Sequence, residues 1–60
     1  MDIAFINSKI AVIKIPSEGF IGDQIELEKY AEHINQYGKV KNVSIQHAPT
    51  YVNLLYSLDT

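Results

Sequence analysis

An α+β fold of order ββαββ is what this sequence predicts, and three observations carry the prediction. Among 60 residues there are nine Ile and four Val, a β-branched excess that favours strands. One segment only, from Asp23 to Tyr37, has the three-and-four spacing of an amphipathic helix. On each side of it lie two short apolar runs separated by turn residues. Five elements use up the chain, so the expectation is one domain over residues 1–60.

The first two strands are read at Ile3 to Ile6 and Ile10 to Ile15, with Asn7, Ser8 and Lys9 as the turn chemistry of a hairpin. A two-residue loop puts Ile3 and Phe5 on the face of Ile10 and Val12. A three-residue loop puts them with Ala11 and Ile13 instead, but wants a left-handed residue near Lys9, which is unfavourable for Lys. The two-residue arrangement, with Phe5 against Val12 or Ile10, is therefore preferred. Pro16 ends the second strand because it supplies no ladder donor. Ser17, Glu18, Gly19 and Gly22 make a loop in which Phe20 and Ile21 form an apolar plug.

In the helix, Asp23 is the N-cap candidate and Glu26 stands at capping-box spacing. Leu27, Tyr30, Ala31, Ile34 and Tyr37 form the apolar stripe, with Leu27 and Ile34 expected to be the most buried. Gly38 is expected as the left-handed residue after the helix, with Lys39 and Lys41 at the negative end of its dipole. Then Val43 and Ile45 alternate with Asn42, Ser44 and Gln46, Ala48 to Thr50 turn, and Tyr51 to Leu58 form the last strand.

Sidedness orders the sheet. A strand with one polar face suits an edge, and one with two apolar faces suits the middle. The strand at Val43 goes to an edge, and those at Ile10 and Tyr51 go to the centre. With a crossover through the helix this gives a four-stranded antiparallel sheet of order 1-2-4-3. The helix packs on one face, over Ala11, Ile13, Ile15, Val43, Ile45, Val52, Leu54, Tyr56 and Leu58. The other face is left with Ile10, Val12, Tyr51, Asn53 and Leu55, joined by Ile3 and Phe5 if the first loop has two residues.

From Ile10 onward the stretch IAVIKIPSEGFIGDQIELEKYAEHINQYGKVKNVSIQHAPTYVNLLYSLD resembles the β-α-β-β first part of a ferredoxin-like domain, and more loosely the ACT regulatory domains. The likeness is one of element order and of a Pro and Gly before the helix, over about four-fifths of the chain. It implies a half-ferredoxin-like fold. The second helix and last strand of that family are missing, and the N-terminal strand takes the last strand's place. ACT domains bind small effectors at dimer interfaces, but the likeness transfers no ligand residue.

Composition narrows the function. There is no cysteine, tryptophan or arginine, and five Lys against seven acidic residues give a net charge of −2. A disulfide scaffold and a Cys-based zinc module are excluded. The lysines are scattered, at 9, 14, 29, 39 and 41, where phosphate recognition prefers clustered Lys and Arg. No nucleic-acid partner is expected. Asp2, Lys9 and Lys14 do not suit a secretory leader, and no stretch nears the roughly 20 apolar residues of a membrane helix. The expected location is the cytoplasm, or a host cytoplasm for a phage protein. A lack of Arg beside abundant Ile, Asn, Lys and Tyr is what an A/T-rich genome encodes, which suggests a bacterium or its phage.

No catalytic, metal or cofactor constellation emerges. His33 sits on the flank of the stripe with Tyr37, not a ligand, at i+4. His47 precedes Ala48 and Pro49 at a turn, and the four serines lack any nucleophile context. Gly19 and Gly22 miss phosphate-loop spacing, and Asp23 and Glu26 oppose an anion there. What remains is size. About 60 residues bury only about 60% of their unfolded surface, and self-association is the remedy open to a chain without staples. The expectation is a small non-catalytic protein-binding module, regulatory or inhibitory, that pairs with itself through the open face as a homodimer or higher assembly. A heterologous protein is a further possible partner, and an ACT-like effector-binding domain is the alternative.

Overall fold

A computed structural model describes residues 2–59. Strands β1 (Asp2–Asn7), β2 (Ile10–Pro16), β3 (Lys39–His47) and β4 (Tyr51–Asp59) flank one helix, α1 (Gln24–Ile34). The sheet order is β1-β2-β4-β3, with every neighbouring pair antiparallel. This is the α+β arrangement that strand sidedness predicts. β2 and β3 run parallel with β4 between them, so α1 connects two strands that are not neighbours.

β4 is central, and its alternation divides the molecule. Val52, Leu54, Tyr56 and Leu58 point to the helix side and are no more than 1% exposed. With Ala11, Ile13 and Ile34 they make the fully buried core. Ile3, Ile15, Phe20, Leu27, Tyr30, Ala31, Val40 and Val43 pack around it, partly buried. One polar group enters: the Tyr56 hydroxyl donates to the Leu27 carbonyl at 2.7 Å, tying the sheet to the helix. Burial pushes the Tyr56 phenol up to about 12, helped by neighbouring Tyr30 and Glu26, because a phenolate there would lose its hydration.

The helix starts as its sequence dictates. Asp23 is extended and its carboxylate accepts from the Glu26 N–H at 2.8 Å. Glu26 reaches back further than a capping box, to the N–H groups of Gly22 at 2.8 Å and Ile21 at 3.1 Å. Gly22 has φ +80°, and a Cβ there would meet the Phe20 ring at 3.1 Å. Phe20 thus sits against the core while Ile21 is exposed, so only half of the expected plug forms.

The C-terminal end departs from expectation. The helix stops at Ile34, Asn35 is the C-cap, and Gly38 does not have a positive φ. Asn35 replaces a left-handed glycine: its side-chain oxygen accepts from the Val40 N–H at 3.4 Å, and a Tyr37-to-Ile34 backbone bond closes the last turn. Lys39 and Lys41 therefore belong to β3 rather than to the helix end, with a bulge between Val40 and Asn42. Tyr37 lies beyond the helix and is exposed, not core. Ile34 is fully buried as predicted, but Leu27 is only half-buried, because it borders the open groove between α1 and β3.

The first hairpin corrects the preferred parity. Its loop does have two residues, Ser8 and Lys9, between the paired Asn7 and Ile10. A bulge between Phe5 and Asn7 then shifts the register, so that Phe5 faces Ala11 and Ile3 faces Ile13. One extra residue in one strand reverses the side of everything beyond it. Ile3 and Phe5 thus leave the open face for the helix side, where Ile3 reaches the core. No left-handed residue is required: Asn7 Oδ1 accepts from the Lys9 N–H at 2.8 Å, and among the described residues no non-glycine residue has a positive φ.

Candidate functional site

The sheet face turned away from α1 is laid out by register. Directly opposed residues in an antiparallel pair share a face, so the pairings define rows across the strands. Ala4, Val12, Leu55 and Ser44 form the central row. On one side lie Asn7, Ile10, Ser57 and Asn42; on the other Asp2, Lys14, Asn53 and Gln46. Pro16 and Tyr51 close the far end. Five of the seven residues expected on this face, Ile10, Val12, Tyr51, Asn53 and Leu55, are brought together there. The other two, Ile3 and Phe5, are not.

The face is apolar at Ile10, Val12 and Leu55, uncharged along β3 and charged at Asp2 and Lys14 on the way to Tyr51. Ile10, Val12, Leu55 and Tyr51 are each half-buried; the first three are neighbours, and Tyr51 lies beyond the Lys14–Asn53 row. On the β3 side the rim is Asn42, Ser44 and Gln46, with no charge. Lys14 is the charged group nearest the strip: its Nζ lies 4.4 Å from the centre of the Tyr51 ring. That cation–π contact holds the ring at an apolar-polar boundary. Sequence reading missed it, although Lys14 and Tyr51 are diagonal neighbours once β2 and β4 are paired in register. Beside them is a shallow hollow of about 240 Å³ lined by Asp2, Lys14, Pro16, Thr50 and Tyr51.

The helix side offers a second depression, about 350 Å³, between α1 and β3. Leu27, Ala31 and Val43 floor it, and Gln24, Glu28 and Lys41 stand at its rim. It follows from an 11-residue helix covering a sheet wider than itself. The histidines lie at opposite ends of the domain. His33 is exposed in the last helical turn, and His47 is exposed at the end of β3, where its ring meets that of Phe20 edge-on at 6.4 Å. Among the described residues no group of three or more His, Asp or Glu is placed to hold a metal, and no helix is long and apolar enough to cross a membrane.

Comparison with protein-family models, with curated proteins and with solved structures gives no match. The ferredoxin-like and ACT-like resemblance therefore rests on element order and on the Pro and Gly before the helix.

Proposed function

We propose that this chain is a small non-catalytic protein-binding module, regulatory or inhibitory, that pairs with a copy of itself in the cytoplasm through the open face of its sheet. The carrying observation is the strip of Ile10, Val12, Leu55 and Tyr51 on the face that α1 leaves uncovered. An apolar centre of Ile10, Val12 and Leu55 with a polar rim, uncharged along β3, matches the anatomy of a protein interface. A core of seven fully buried residues is small, and covering the half of each strip residue that is still exposed adds at most about 1–1.5 kcal/mol before the cost of association. A two-fold pair would set these residues against their own copies.

The test is Leu55→Lys, followed by sedimentation equilibrium. The substitution is expected to separate copies that meet face to face while leaving the helix packed. A wild-type chain that stays monomeric at high micromolar concentration, and binds no protein by this face, would overturn the reading. The hollow at Asp2, Lys14 and Tyr51 favours the alternative, an ACT-like domain with a small effector at the interface. That alternative predicts a ligand-dependent rise in melting temperature, because a ligand binding only the native state stabilises it.

A further inference from the structure

The two edges of the sheet are not alike. β3 begins with Lys39, bulges at Lys41 and shows Asn42, Ser44 and Gln46 on its open side. Charge and irregularity are what keep an edge strand from pairing with another chain. β1, at the other edge, reads Asp-Ile-Ala-Phe-Ile-Asn, without Lys or Pro, and its bulge comes only at its end. All of β1 except Ile3 is exposed. Large apolar groups gather there: Ile6 is 63% exposed, Phe5 44% and Tyr37 53%. The Phe5 and Tyr37 rings meet edge-to-face with centroids 5.1 Å apart.

We infer that β1 pairs antiparallel with β1 of a second copy, Ala4 opposite Ala4, so that two sheets join edge to edge. The argument is self-complementarity. This register sets Ile3 opposite Phe5 twice, on the helix side, where Tyr37 extends the apolar cover. It sets Asp2 opposite Ile6 at each end, short of the other copy's Ser8–Lys9 turn. A slip of one residue would place the helix-side residues opposite those of the other face. On the open side the rows Ala4–Val12–Leu55 run into one another through the axis, which doubles the strip without covering it. The edge pairing therefore does not depend on the face-to-face reading.

The experiment uses Leu55→Lys as background, to remove association through the face. Ala4→Lys and Ala4→Glu are added to it separately, Ala4 being exposed. Each is expected to weaken association about tenfold, since like charges meet directly across the axis. Mixed one to one, the two variants are expected to recover it. Hydrogen exchange is expected to show β1 amides gaining protection as the Leu55→Lys protein is concentrated. A Leu55→Lys chain that stays monomeric at millimolar concentration, or variants that do not rescue each other, would overturn the edge pairing and leave the face reading standing.

Discussion

The two sides of β4 are built from alternate residues of one strand, yet they have different fates. Val52, Leu54, Tyr56 and Leu58 are all but sealed by α1 and the neighbouring strands, while Tyr51, Asn53, Leu55 and Ser57 stay half-buried. Both sets include Leu and Tyr, so residue type does not separate them. What separates them is whether a second layer lies above. A single 11-residue helix supplies one layer, and a sheet has two faces to cover. Stability therefore rests on one side, and the proposed association falls to the other.

The largest effect belongs to the sealed side. Ile34→Ala or Leu54→Ala empties a site that is fully buried, and each is expected to cost about 2–5 kcal/mol. Leu27→Ala is expected to fall below that range, because Leu27 borders the groove between α1 and β3. Urea denaturation of the three variants reads the order. Equal losses at Leu27 and Ile34 would mean that the groove closes in solution.

Most of this architecture is legible in the sequence, and the exceptions are local. Alternation in Tyr51 to Leu58 and the polar face of the Val43 strand give the order 1-2-4-3, because sidedness is a property of whole strands. The face of Phe5 is not legible, since it depends on one bulged residue, Ile6, that no propensity marks. The helix end is misread because Gly38 is a plausible stop, whereas Asn35 stops the helix three residues earlier through a bond to Val40 across the turn. For the candidate site, Ile10, Val12, Tyr51, Asn53 and Leu55 are found by parity alone. Ile3 and Phe5 fall with the bulge.

Smaller effects come from what holds the layer in place. Tyr56→Phe keeps the ring and removes its bond to the Leu27 carbonyl, with an expected loss of about 0.5–1.5 kcal/mol. The same hydroxyl makes stability sensitive to alkali. Its folded pKa, about 12, lies above the ordinary value of 10.0. Its contribution is therefore complete below pH 10 and is lost as pH rises toward 12, where the unfolded chain ionises first. Denaturation midpoints across that window are expected to fall less steeply in Tyr56→Phe than in the wild type. At the helix start, Asp23→Ala removes the acceptor for the Glu26 N–H and is expected to cost about 1 kcal/mol, read by the same denaturation.

Leu55→Lys lies on the other side of the division, so its expected effect on the isolated chain is the smallest. Leu55 sits between Val12 and Ser44 with no helix above it. The lysine stem can cover much of the same surface while its ammonium stays in water. No cavity forms and no charge is buried, so at concentrations where the chain is monomeric the loss is expected to stay below about 1 kcal/mol. At higher concentrations the wild type is expected to gain stability with concentration, because association draws on the folded state alone. Leu55→Lys is expected to lose the part of that gain which comes from the open face. Melting temperatures measured over a hundredfold range of concentration give both quantities. A large loss in the dilute variant would place Leu55 in the core, and the contrast between the two sides of β4 would then fail.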